Sequence, residues 1–211
     1  MKRITKYIAL SLVCIMLINT TTVFAQSSNV DSESQYVCDK NTNKVIIDNA
    51  GVMINGNYYT ISEFENQLDK AVLVSENNRQ QTRVTIGAGI YFIPGIGEIA
   101  IVATGVIVVA GVTIAAGTWL YKTITDWLDD SSRREIAEIR AKIPSRLRDE
   151  DGNVDLGNFK EKVKGKNSYK EKGGWTIDRD TAGHGGRRWK LKDKSGDRVA
   201  SLGEHGEVLG K

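Results

Sequence analysis

Between residues 178 and 192 the chain gathers Asp178, Asp180, His184, Arg187, Arg188, Lys190 and Lys192. Asp178 and Asp180 are two apart in an alternating segment, so on a strand both point to one face while Ile177 points to the other. His184 lies in Ala182-Gly-His-Gly-Gly186, where glycines let backbone approach a ligand closely. The cations follow on the next alternating segment, which faces the first if the loop closes a hairpin. Cleaving a phosphodiester without a metal needs three things: a base for the attacking hydroxyl, an acid for the leaving oxygen, and a cation for charge developing on phosphate. Carboxylate, imidazole and Lys/Arg are the usual groups for this. Two aspartates within reach of one another would also raise one pKa and yield a usable acid. Asp178, Asp180, His184 and Lys190 are therefore the catalytic candidates. Arg187, Arg188 and Lys192 are candidate phosphate contacts. Trp175 and Trp189 are expected first as core, with Trp175 as a base-stacking candidate.

The elements that must position these residues form an antiparallel meander of three or four strands. Trp175–Asp180, Arg188–Lys192, Arg198–Leu202 and Glu207–Leu209 are its segments, separated by Gly-rich turns. Trp175, Trp189, Leu191, Val199, Leu202 and Leu209 are its expected core. Charge sets this part of the chain off. Residues 146–211 hold 16 basic and 12 acidic residues, residues 26–145 hold 10 and 14, and Lys160–Arg198 holds 13 and 6. A basic stretch of this kind is the electrostatic footprint of a polyanionic partner. No Cys/His cluster has metal-ligand spacing and no cofactor motif appears, so neither a metal nor a cofactor is expected.

Upstream, Lys2, Arg3 and Lys6 precede the apolar run Ile8–Ile18 and the small-residue site Val23-Phe24-Ala25. This is the order of a cleavable secretory signal, residues 1–25, with Gln26 as the new N-terminus. Cys14 leaves with it and Cys38 stays alone, so no intramolecular disulfide forms in the mature chain. Residues 26–83 read as a small α+β leader region. Lys44–Asp48 and Val52–Thr60 are paired strands, and Ser62-Glu-Phe-Glu65 is a capping box opening a helix. Residues 84–122 form a hydrophobic Gly-rich segment in which Ile99–Tyr121 runs 23 residues without charge, long enough to cross about 30 Å of hydrocarbon. With a break at Pro94-Gly-Ile-Gly97, a hydrophobic helical hairpin in membrane contact is expected there. Residues 123–144 read as an amphipathic helical linker, capped at Ser132-Arg-Arg-Glu135 and ended by Pro144. The fold class is thus α+β in several parts, with residues 145–211 as a basic antiparallel β domain.

The run Gly174-Trp-Thr-Ile-Asp-Arg-Asp-Thr-Ala-Gly-His-Gly-Gly186, then Trp189-Lys-Leu-Lys-Asp193, Gly196-Asp-Arg-Val-Ala200 and Gly206-Glu-Val-Leu209, resembles the C-terminal toxin domain of bacterial polymorphic toxins. The nearest kind sits at the tips of contact-dependent inhibition effectors and resembles the ribosomal-RNA-cleaving colicins. Pro94-Gly-Ile-Gly-Glu98 resembles, more weakly, the pre-toxin regions that precede such domains. The resemblance implies a small twisted antiparallel sheet and a ribonuclease acting on 16S ribosomal RNA in competing cells. It also implies a cognate acidic immunity protein, and Asp178, Asp180, His184 and Lys190 as the site. The alternative is a membrane-active, bacteriocin-like protein acting through residues 84–122, its basic tail bound to an anionic surface.

Overall fold

The alternation at Lys44–Asp48 and Val52–Thr60 resolves into three strands of a four-stranded meander. The computed structural model describes residues 35–38, 44–76, 89–103 and 105–211, within a unit spanning residues 34–211; the expected signal segment lies outside the described residues. Strands β1 (Gln35–Cys38), β2 (Lys44–Ile47), β3 (Gly51–Ile54) and β4 (Asn57–Thr60) pair antiparallel in chain order. Asp48 closes the β2–β3 turn by accepting from the backbone of Ala50 at 2.8 Å and Gly51 at 2.7 Å. Helix α1 (Ile61–Leu68) starts earlier than the box expected at Ser62–Glu65. Thr60 caps it by accepting from Glu63 N, and Glu63 returns a carboxylate oxygen to Thr60 N at 2.8 Å. That reciprocal pair satisfies two otherwise orphaned donors.

The helical hairpin expected over 84–122 is not what forms. Strands β6 (Gly89–Ile93), β7 (Gly97–Ala103), β8 (Val106–Val109) and β9 (Val112–Ala115) occupy it and pair with β5 (Val72–Glu76) in a five-stranded meander. The physical reason is the period. Tyr91, Ile93, Ile99, Ile101, Ile107, Val109, Val112 and Ile114 are buried at alternate positions, and β-branched residues suit a pleated surface. The six-residue spacing of Gly105 and Gly111 is a spacing of turns: both take positive φ (78° and 82°), and Ala110 beside Gly111 shares it at 49°. Helix α2 (Trp119–Asp129), capped by Thr118, lays Leu120, Ile124, Trp127 and Leu128 on this core. Trp127 meets Tyr91 edge-on, with ring centroids 5.2 Å apart. Among the described residues no helix is long and apolar enough to cross a membrane. One core draws its members from Val45 to Ala137.

Helix α3 (Ser131–Lys142) is capped by Asp130, which accepts from Ser132 N at 2.9 Å, rather than by the expected Ser132 box. It joins two cores: Ala137 lies in the first, Ile139 and the following Ile143 in the second. Between them the buried Arg140 guanidinium donates to the Asp69 carbonyl and, at 3.4 Å, to that of Ala71. The second core lies under a five-stranded meander: β10 (Glu161–Lys162), β11 (Ser168–Lys170), β12 (Thr176–Arg179), β13 (Trp189–Lys192) and β14 (Arg198–Leu202). Two strands beyond the expectation come from the lysine-rich stretch before Gly174. Val208 rather than Leu209 fills the core at the C-terminus, and Leu209 is exposed.

Glu171, 3% exposed, ties this sheet to the short 3-10 turn Ser145–Leu147. It takes both arms of the Arg146 guanidinium, at 2.7 and 3.2 Å, and accepts from Gly173 N at 2.7 Å and Trp175 N at 2.9 Å. The Arg146 hydrogen bond, followed by those backbone donors, overcomes burial and holds the carboxyl at about 2, against 4.5 ordinarily.

Two predictions follow from this packing. Ile107 is 0% exposed, so Ile107→Ala lowers stability by about 2–4 kcal/mol in urea melts, as a core truncation does. A membrane-inserted residue would leave the urea midpoint unmoved. Glu171 has a depressed folded pKa, so its stabilisation is full above about pH 4.5 and is lost as pH falls toward 2. Glu171→Gln is therefore less stable at pH 7 by on the order of 2 kcal/mol, with a flatter dependence of melting temperature on pH between 2 and 5.

Candidate active site

Ile177 faces Leu191 across β12 and β13, and Leu191 faces Ala200 across β13 and β14. All three are buried in the second core. By the period of two, the residues between them face the other way. Asp178 stands opposite Lys190, which stands opposite Ser201, and Ser168 of β11 stands opposite Asp178. One face of the sheet thus carries a polar row across four strands.

The ion pairs on this face run diagonally rather than straight across. Lys192 Nζ lies 2.6 Å from Asp178 Oδ2, and Lys190 Nζ lies 3.3 Å from Asp180 Oδ1. The Asp180 side chain is 6% exposed and also accepts from Ala182 N at 3.0 Å. Burial pushes Asp178 up, but hydrogen bonds from Lys192 and Ser168 and the charges of Lys192 and Lys166 outweigh it, leaving its carboxyl below the usual range. For Asp180 the Ala182 backbone hydrogen bond is the largest influence, and it and Lys190 hold the carboxyl down against burial. The expectation that paired aspartates would push one pKa up is therefore overturned. Each carboxylate has its own lysine, so both are kept ionised.

His184 is exposed in the loop between β12 and β13. Gly183, Gly185 and Gly186 take φ of 61°, 64° and 76°, and a Cβ added at any of them would meet nothing within 4 Å. The loop backbone is thus open to an approaching ligand. Among the described residues, no hydrogen bond or ion pair ties the His184 imidazole to Asp178, Asp180 or Lys190. The root of the loop is fixed instead: Asp180 N donates to Arg188 O at 2.8 Å, and Arg188 N donates to Leu202 O at 2.8 Å. Arg188 is exposed and Arg187 half-buried beside it.

Trp175 is not a stacking platform. It is 6% exposed in the second core, placed there because it shares the inward parity of Ile177. Trp189 is half-buried, with Tyr169 edge-on at 6.2 Å and the Arg179 guanidinium 5.5 Å from its ring centroid. Four residues on or beside the polar face escaped sequence reasoning: Ser168, Lys166, Ser201 and Arg198. Arg198 donates to Ser201 Oγ and stands opposite Lys192 at a bulge. Ser201 shares the parity of Arg198's strand neighbours and was visible in the alternation. Ser168 was not, because a three-residue strand with one apolar member gives no pattern. Among the described residues no group of three His, Cys, Asp or Glu side chains is arranged to hold a metal ion.

Compared with protein-family profiles, with curated proteins and with solved structures, the chain shows no match.

The opposed pulls on Asp178 are directly measurable. In a carbon-detected NMR titration its carboxyl titrates below the ordinary 3.8, and Lys192→Gln moves it upward. An Asp178 titration unchanged by that substitution would show that the ion pair does not set the carboxylate's charge.

Proposed function

We propose that the C-terminal unit is a metal-independent ribonuclease, the toxic part of an exported bacterial protein. The observation that carries this reading is the β12–β13 hairpin. It holds two ionised carboxylates and two lysines on one face, and its open glycine loop presents the imidazole of His184. In this reading one of the ionised aspartates removes the proton of a ribose 2′-hydroxyl. The 2′-oxygen attacks phosphorus, the bond to the 5′-oxygen breaks, and the imidazolium form of His184 gives its proton to that oxygen. The products are a 2′,3′-cyclic phosphate and a free 5′-hydroxyl. Lys190 and Lys192 stand where charge on the phosphate would be countered, with Arg187 and Arg188 at the loop root for flanking phosphates.

The likeness of residues 174–209 to polymorphic-toxin tips supports 16S ribosomal RNA, alone or in the ribosome, as the target. The excess of 13 bases over 6 acids from Lys160 to Arg198 supports an acidic immunity protein as the antagonist. The residue order of the first 25 positions supports export through a cleaved signal.

Expression of the chain in a bacterium, followed by mapping of RNA ends, tests this. Wild type yields fragments ending in 2′,3′-cyclic phosphate, in EDTA as well as without it. His184→Ala and Asp180→Asn lower cleavage by about 100- to 10,000-fold with unchanged circular dichroism, while His205→Ala, in a turn outside the site, cleaves as wild type does. Intact RNA in cells making the wild-type protein sinks the enzyme reading. Cleavage that survives both substitutions sinks the assignment of these residues.

A further inference from the structure

A meander alternates its turns between two ends. The turn joining β10 to β11 and the loop carrying His184 therefore share one end of the sheet, and the turns at 171–175 and 193–197 share the other. Six of the thirteen residues from Lys160 to Lys172 are lysines, and three of them, Lys162, Lys164 and Lys166, lie in or beside the β10–β11 turn. Among the described residues none of the six lies within ion-pair distance of a carboxylate. The local acids are committed elsewhere. Glu171 is taken by Arg146 of the Ser145–Leu147 turn, and Asp178 by Lys192. Glu161 stands opposite Lys170 across the ladder without reaching it.

Two of these lysines share a shallow hollow. Lys162, Gly165, Lys166 and Asn167 line an open depression of about 310 Å³. Its wall continues into the site, because Asn167 O accepts from Arg179 N at 2.9 Å and the next residue, Ser168, faces Asp178. One inter-strand step, roughly 4.8 Å, separates the two. Lys166 also contributes to the field that keeps Asp178 ionised. Unpaired ammonium groups around a polar hollow, beside carboxylates already neutralised by their own lysines, suit an anion. They suit a repeating anion best, since the exposed Arg188 stands at the root of the His184 loop at the same end of the sheet.

We infer that this depression is a backbone-phosphate subsite for single-stranded nucleic acid, holding the strand on the β11 side of the His184 loop. The inference rests on the ribonuclease reading for RNA as the natural ligand, but the contact it describes is independent of cleavage. The recognition is of phosphate charge and carries no base sequence.

The test uses the full chain and a fluorescein-labelled 12-residue oligodeoxynucleotide, which has no 2′-hydroxyl and cannot be cut by the proposed route. Binding is followed by anisotropy across a salt series. Lys162→Gln/Lys166→Gln weakens binding about 10-fold at low salt and lowers the slope of log affinity against log salt by roughly 1, the share of one to two released phosphate contacts. Lys194→Gln, at the opposite end of the sheet, changes neither. Unchanged affinity and slope in the double variant overturns the inference, and so does an equal loss in Lys194→Gln, which would mean diffuse attraction only. If the double variant binds the oligonucleotide normally but loses affinity for a polyglutamate peptide, the depression takes an acidic protein and the inference is wrong. Oligonucleotide binding that depends on Lys162 and Lys166, in a chain that cuts no RNA, upholds the subsite and removes the ribonuclease reading alone.

Discussion

Burial of Ile177 against Leu191 holds the candidate site in place. Both side chains sit in the second core, 2% and 0% exposed, and they face each other across β12 and β13. A slip of one residue would carry them to solvent and bring Asp178 and Lys190 inward, at the cost of two apolar side chains exposed and two charges buried. The register is therefore strongly specified, and with it the diagonals that give Asp178 to Lys192 and Asp180 to Lys190. The ion pairs do not build the hairpin. Pairs whose lysine keeps about a third of its surface in water, as Lys190 and Lys192 do, contribute roughly 0–1 kcal/mol each, less than burial of one branched aliphatic side chain at roughly 1.5–3 kcal/mol. Their importance is to fix the protonation state of two carboxylates on a face that the apolar register has already set.

The same division of labour recurs where the two cores meet. Helix α3 gives Ala137 to one and Ile139 to the other, and between them its Arg140 satisfies the carbonyls of Asp69 and Ala71 at the end of the chain segment that follows α1. A buried guanidinium that lost these acceptors would be strongly destabilising. The carbonyls in turn would be left without a donor at the point where α1 gives way to β5. Lys70 and Asp151, 2.6 Å apart, close the same junction from outside. The sheet that carries the candidate site is thus held against the first core through helix α3, the buried Arg140 and the Lys70–Asp151 pair.

The candidate hairpin was legible in the sequence because alternation and turn chemistry agree there. Ile177 beside Asp178 with Asp180 two residues further on, Leu191 between two lysines and a glycine-rich loop allow one arrangement. Both helix caps lie two positions earlier than expected because Thr60 and Asp130 compete with Ser62 and Ser132, and the residue preceding the first helical turn wins. The middle segment was misjudged for a more instructive reason. An uncharged run of 23 residues is long enough to cross a bilayer, and length and hydropathy alone do not separate one long helix from several short buried strands. The discriminating signal lay in Val, Ile and Thr at alternate positions with Gly at each reversal. Trp175 was ambiguous because an aromatic residue on a small sheet serves packing or stacking equally well by composition. Its shared parity with Ile177 places it inside.

Charge on the C-terminal sheet sorts into two populations, and the proposed chemistry depends on their separation. Lys190 and Lys192 are paired, so their charge is largely spent on keeping Asp178 and Asp180 ionised. A phosphate arriving at that face meets a surface near neutrality. Such a surface can move protons, but it attracts a polyanion weakly. The attraction has to come from cations that carboxylates have not claimed, and those are concentrated at the β10–β11 turn and in the exposed arginine beside the His184 loop. A sheet with every lysine paired would be poised for proton transfer but would capture slowly. One with every lysine free would capture strongly and leave its aspartates without defined partners. Under the proposed function, free lysines at the β10–β11 turn, beside the strand that carries Asp178, would let a single small surface do both.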